Sequence, residues 1–260
     1  MQYLRVAHPN GIDWATSTDG AVELLSGAPW AGGQPTGARF AFGEVRLLAP
    51  VQPSKLICIG RNYAEHAAEL GNQAPTEPMF FLKAPSALIG PDEAIELPYP
   101  EHQNHWEAEL AVVIGRRAKR VTESEALDYV FGYTAACDIS DRDIQKADAP
   151  FGFGRAKSFD TFCPCGPAIT PASQVDPSDL RITLTCNGET RQDDSTALMI
   201  HNVPKLISFL SGIMTLEPGD LILTGTPKGV GAMHPGDELA ITIAGIGTLR
   251  NTVREGTPNR

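Results

Sequence analysis

The chain has 260 residues, 42% apolar and 20% charged, a make-up that fits a globular protein with a sizeable core and argues against disorder. Its 31 acids against 21 bases leave a formal charge of −10, which excludes a nucleic-acid groove or an anionic membrane surface as the expected partner. Met1 to His8 lack the basic and apolar regions of a signal peptide, and no run approaches the ~20 apolar residues of a membrane span, so a cytoplasmic location is expected.

Residues 1–50 read as a small N-terminal subdomain: short β-type runs, Tyr3-Leu-Arg-Val6 and Val45-Arg-Leu-Leu48, surround a Gly- and Pro-rich middle without clustered acid–base residues. Ala49-Pro-Val-Gln-Pro53 reads as the linker into a main domain over residues 51–260, because each proline holds the residue before it extended. Lys55 to Ile59 predicts a strand ending on Gly60-Arg-Asn-Tyr63, followed by a helix over Tyr63 to Leu70 that stops at Gly71-Asn72. His66 and Glu69 share a face of that helix. A carboxylate beside an imidazole orients it as a general base; a plain surface pair is the competing explanation. Pro78 to Lys83 is a second short strand that delivers Lys83 either to an anion or to the surface as a simple strand end.

Next comes His105-Trp-Glu-Ala-Glu109, leading into the apolar run Leu110 to Ile114. If that run is a strand, Glu107 and Glu109 lie on one face about 7 Å apart and repel, which a hard cation between them would relieve. A solvated strand entry is the alternative. Thr122-Glu-Ser-Glu125 predicts a capping box for a helix through Tyr129, and Val130 to Ile139 a strand that delivers Asp138 at its end. A carboxylate emerging from a buried strand needs a cation. A metal shared with Glu107 and Glu109 would serve, and so would Arg142, four residues on. Phe151 to Ser158 predicts a glycine-punctuated loop that leads to Lys157, an amine between apolar neighbours; its Gly-x-Gly lacks the frame of a dinucleotide site.

Arg181 to Cys186, Asn187-Gly188 and Glu189 to Arg191 spell a hairpin, and Asn202 ahead of Pro204 opens an amphipathic helix carrying Val203, Leu206, Ile207 and Leu210 on one face. The strand Leu221 to Leu223 ends on Thr224 to Gly231, a glycine loop that offers N–H groups and a hydroxyl to a ligand, or is simply a tight turn. The tail alternates as strands. Five cysteines scattered through apolar stretches point to reduced core thiols.

In this order and spacing, Gly60-Arg-Asn-Tyr63 with His66 and Glu69, Phe81-Leu-Lys83, Glu107-Ala-Glu109, Asp138, Arg142-Asp-Ile-Gln145, Ala156-Lys-Ser158 and Thr224 to Gly231 resemble the fumarylacetoacetate hydrolase family from about residue 55 to 255. The resemblance implies an α+β, mainly β fold, a mixed β-roll with flanking helices, in a homodimer. It implies Glu107, Glu109 and Asp138 as metal ligands, with Mg²⁺ the usual ion and Mn²⁺ or Ca²⁺ able to substitute. It further implies His66 and Glu69 as a catalytic dyad on a lid segment, Lys157 as the lysine beside the metal, and Arg142, Gln145 and Thr226 as groups that hold the substrate. Lys83 sits where some members carry a further lysine near the site.

The implied chemistry is Mg²⁺-dependent C–C cleavage, by hydrolysis or decarboxylation, of a small 2,4-dioxo or oxaloacetate-like acid through a metal-stabilised enolate. A 2-hydroxyhepta-2,4-diene-1,7-dioate isomerase or oxo-acid tautomerase of aromatic catabolism is the alternative within enzymes, and a non-catalytic metal-stabilised binding protein the alternative outside them.

Overall fold

The computed structural model describes residues 1–18, 20–149 and 152–257. Its backbone is a mixed sheet flanked by a smaller five-stranded one. The strand Ala108–Ile114 is central. It pairs antiparallel with Val130–Cys137 on one side and Leu221–Leu223 on the other. Beyond Leu221–Leu223 the sheet continues, parallel, to Leu56–Gly60 and then to Met79–Lys83. In the other direction it runs through Cys163–Pro171 to Gln2–His8, Gly11–Thr18, Ala21–Leu25 and Pro35–Ala41.

Every residue of Ala108–Ile114 is buried. Ala108, Leu110, Val112 and Ile114 enter a core shared with Ile182, Leu184, Ile241 and Leu249 of the five-stranded sheet, whereas Ala111 and Val113 enter a second core with Leu56, Cys58, Cys163 and Leu221. A strand covered on both faces loses alternation and reads as an unbroken apolar run, as this one does. All five cysteines are buried and free.

The local signals act as expected at several points. Asn187 and Gly188 both adopt positive φ, 53° and 80°, as a two-residue hairpin with the native strand twist requires. The Asn202 side chain accepts from the Lys205 amide to start the helix Val203–Ile213, whose Val203, Leu206, Ile207 and Leu210 are buried. Two expectations are corrected. The Thr122-to-Glu125 contact forms, but it only precedes a 3₁₀ turn over Ala126–Tyr129 that has no side-chain cap, and no helix follows because Val130 already starts a strand. Within the stretch expected to be a loop, Gly154–Lys157 forms one helical turn; Phe151 lies outside the described residues.

The first fifty residues extend the main sheet: Tyr3 is registered with Ile169, and Arg46–Leu48 pairs with the first strand. Trp30 packs edge-on against Phe131 at 5.7 Å and Trp14 at 4.8 Å, while Gly219, at φ 87°, passes so close to Trp30 that a Cβ there would lie 2.7 Å from its ring. No helix among the described residues is long and apolar enough to cross a membrane.

Candidate active site

Strand register assembles the acidic group. Ala108 pairs with Cys137, and the ladder runs one step further through the Asp138 amide, which donates to the Glu107 carbonyl at 2.9 Å. Glu107 and Asp138 therefore stand opposite one another just past the ends of two buried strands, with Glu109 two residues inside. One oxygen from each of the three carboxylates lies within 4.8 Å of the others, and all three residues are buried. Such an oxygen-only donor set fits a hard divalent cation.

Three cations answer these three carboxylates. Lys157 Nζ sits between Glu107 Oε2 at 2.9 Å and Asp138 Oδ2 at 2.6 Å. Lys83, expected at a surface or near an anion, is 2% exposed and binds the far oxygen of Asp138, so the surface alternative is excluded. Arg142 does not take Asp138; it pairs with Glu107 Oε1 and donates through its other amino group to Gln145 Oε1 at 2.8 Å. The Arg142 Nε is buried without a protein partner.

The charges are unequally served. Burial would raise the Glu107 pKa, yet Lys157 and Arg142 hold it well below the carboxylate range. Glu109 is pushed well above that range, first by burial and then by Asp138 and Glu107, with only Lys157 and the Gly225 amide (2.6 Å from Oε2) opposing. Burial works against the Lys157 charge, but Asp138 and Glu107 outweigh it and raise its pKa. The His105 imidazole is pushed down to about 4 by burial and by Arg142.

These groups open onto a cavity of about 410 Å³ whose lining includes His66, Glu107, Glu109, Asp138, Arg142, Gln145, Lys157 and Thr226, with Met79, Phe81 and Phe153 as apolar wall. Glu69 and Lys83 stand behind the lining. His66 Nδ1 lies 3.3 Å from Glu69 Oε2, and Glu69 also accepts from the Gly229 amide, so the carboxylate fixes the ring to the glycine loop. Thr226 Oγ1 accepts from Gln192 at 2.8 Å.

Gln192 is a residue that motif reading overlooked. Its side chain, 1% exposed, accepts from the Ala108 amide and donates to Thr226 and Pro227, tying the smaller sheet to the strand Ala108–Ile114 and the glycine loop. Its only signal in the sequence is an inward position in a strand whose other residues are polar and outward. A second His–acid group, His102, Asp141 and Asp143, is structural. Asp141 Oδ1 accepts from the Asp143 and Ile144 amides and caps the helix Arg142–Asp148, while Oδ2 binds His102, so both oxygens are taken within the protein.

Residues 55–254 match the fumarylacetoacetate (FAA) hydrolase C-terminal family, and residues 1–50 match the Rv2993c-like, N-terminal family. The chain belongs to the fumarylacetoacetate hydrolase family. An oxaloacetate tautomerase FAHD1, mitochondrial, from Arabidopsis thaliana is 45% identical over 76% of this chain and 90% of that protein. The crystal structure of a 5-carboxymethyl-2-hydroxymuconate delta-isomerase from Mycobacterium smegmatis superposes with a TM-score of 0.90 at 42% identity, over 98% of this chain and 100% of that one. A maleylpyruvate hydrolase from Sphingobium sp., solved with manganese(II) and pyruvate, superposes with a TM-score of 0.81 at 31% identity, over 98% of this chain and 100% of that one. Fumarylacetoacetate hydrolase family enzymes process small oxo acids and bind divalent metals, and the acidic trio of this chain could hold one.

Proposed function

We propose that the chain enolises a small 2-oxo acid at a divalent cation, Mg²⁺ in the first instance, and that keto–enol tautomerisation of an oxaloacetate-like acid is its main outcome. The observation that carries the chemistry is the buried trio Glu107, Glu109 and Asp138 at the floor of a cavity with His66 in its wall. The outcome is supported by the tautomerase and isomerase named among relatives of 45% and 42% identity. The manganese(II) and pyruvate of the hydrolase structure support a cation beside a 2-oxo acid.

Glu107, Glu109 and Asp138 would hold the cation, which supplies a Lewis acid for the negative charge of an enolate when bound. Lys157 adds a fixed positive charge beside it, already desolvated and so strong at short range. Arg142 has Nε–H left over after its bonds to Glu107 and Gln145, a donor suited to the substrate carboxylate. Tautomerisation needs one proton taken from C3 and one returned at the C2 oxygen, with no net change. His66, with Nδ1–H donated to Glu69, keeps Nε2 as the acceptor for that proton, and Glu69 stabilises the imidazolium that results.

C–C cleavage, which the motifs favoured, is the second reading, and the same dyad supports it. A water deprotonated by His66 would add to the distal carbonyl of a 2,4-dioxo acid; the C3–C4 bond then breaks, its electron pair stays on C3 as the enolate of pyruvate, and a proton completes the product. The deciding experiment assays oxaloacetate tautomerisation, oxaloacetate decarboxylation and acetylpyruvate hydrolysis side by side with Mg²⁺. We expect tautomerisation to be fastest and EDTA to abolish it. Faster acetylpyruvate hydrolysis would promote the second reading, and turnover undiminished by EDTA would sink the metal chemistry of both.

A further inference from the structure

Arg61 has no role in the scheme so far, yet its placement is forced. It follows Gly60, the last residue of the strand Leu56–Gly60, and precedes Asn62, whose side chain is fully engaged. Asn62 Nδ2 donates to the carbonyls of His201 and Thr224, and Oδ1 accepts from the His201 amide. Between strand and clasp, Arg61 takes φ 56°, a left-handed backbone that side chains with a Cβ seldom adopt. The cavity is lined by this residue. Among the described residues no carboxylate lies within 4.0 Å of its guanidinium.

Lys146 is a second cation of this kind. It lies one turn beyond Arg142 on the helix Arg142–Asp148, and Arg142, Gln145, Lys146 and Ala149 present one face to the same cavity. Among the described residues it too lacks a carboxylate within 4.0 Å. The deeper cations are already engaged, since Lys83, Lys157 and Arg142 pair with Glu107 and Asp138. Arg61 and Lys146 are thus surplus positive charge in the wall of a cavity that belongs to a chain of net charge −10. A bound divalent cation would add to the surplus, and the head carboxylate of a 2-oxo acid answers only part of it.

Resting on the function proposed above, we infer that Arg61, seconded by Lys146, forms a distal anion subsite that selects 2-oxo acids bearing a second carboxylate over monoacids of the same length. The apolar wall of Met79 and Phe81 accommodates the carbons between the two acid ends. Arg61 touches the substrate's far end and takes no part in the proton transfer; it is a specificity residue.

A matched pair of probes isolates the distal group: 2-oxoglutarate and 2-oxovalerate have equal carbon chains and differ by a carboxylate in place of a methyl. Isothermal titration with Mg²⁺ present is expected to show 2-oxoglutarate binding at least about tenfold more tightly to the unaltered protein, the usual worth of a charge-assisted hydrogen bond. Arg61→Gly is the first variant, because glycine accepts the backbone conformation without strain. It should reduce the ratio of the two affinities to within about threefold, Arg61→Lys should restore part of it, and Lys146→Met should lower it by a smaller factor. Thermal unfolding in parallel checks that each variant folds. Equal binding of both probes by the unaltered protein, or an undiminished ratio in folded Arg61→Gly, overturns the subsite alone. Binding of neither probe overturns the subsite and the 2-oxo acid reading together.

Discussion

Glu109 is the carboxylate of the trio with the fewest donors: the Gly225 amide alone among the described residues, with the Lys157 charge nearby, against burial and two neighbouring acids. Replacing it with glutamine would let an amide N–H meet Asp138 or Glu107 while Oε1 keeps the Gly225 amide. In metal-free protein Glu109→Gln is therefore expected to stabilise the fold by about 1–3 kcal/mol, read by urea denaturation, while titration with Mg²⁺ shows binding lost. A metal-free stability below that of the unaltered protein would show that Glu109 is well paired after all. His66→Gln should lower turnover about a hundredfold or more, the usual worth of a general base, and undiminished turnover would return His66 and Glu69 to an ordinary helix pair. At this scale the sequence was partly legible. Glu-x-Glu and Asp138 were visible as acids beside apolar runs, but their convergence depends on a pairing register that side-chain types do not encode. Lys83 looked like a strand end because only tertiary packing buries it, and Gln192 hid among polar neighbours.

The helix Arg142–Asp148 shows how one element is aimed. Asp141 caps it, His102 holds Asp141 at 2.7 Å, and the Tyr99 ring stacks on His102 at 4.9 Å. The bond to Asp141 raises the His102 pKa, with Asp143 and Glu101 adding to the effect. A raised folded-state value means that the contribution is complete below the unfolded value of about 6.5 and is lost as pH rises through the folded one. His102→Gln should thus cost more stability near pH 5 than near pH 9, measured by denaturant unfolding at both; an equal cost would show that stacking on Tyr99, not charge, is the contribution. Elements with strong local chemistry, such as the Asn187-Gly188 hairpin and the helix opened by Asn202, were legible from a few residues. The turn Gly154–Lys157 was not, since glycine at its start argues against a helix and tertiary contacts hold it, Lys157 in the site and Arg155 on Asp148.

On the scale of the molecule, the N-terminal strands close one side of a sheet whose next strand, Cys163–Pro171, is buried along most of its length. Deleting residues 1–50 would leave the part of that strand beyond Pro164, which Leu88–Ile89 does not pair, as an apolar open edge, a template for pairing with other chains. Light scattering should detect self-association of the truncated protein, and a monodisperse product would show that the edge is protected in another way. A proline-rich stretch near residue 50 was legible in the sequence. The pairing of Tyr3 with Ile169 was not, because nothing local marks partners separated by most of the chain.

The Asn62 clasp has a consequence in time as well as in space. One side chain joins the segment after the first core strand to Ile200–His201 and to the loop at Thr224, and Gly225, whose amide holds Glu109, passes so close that a Cβ there would lie 2.7 Å from Asn62 Cβ. Segments tied at a single point open together or stay closed together. The amide protons of Ile200 and His201, both donated to Asn62, should therefore exchange with deuterium at one common opening rate, and Asn62→Ala should accelerate both and the Gly225 amide with them. Independent rates would mean that the walls of the cavity breathe separately. A common rate would make one asparagine the clock for access to the site.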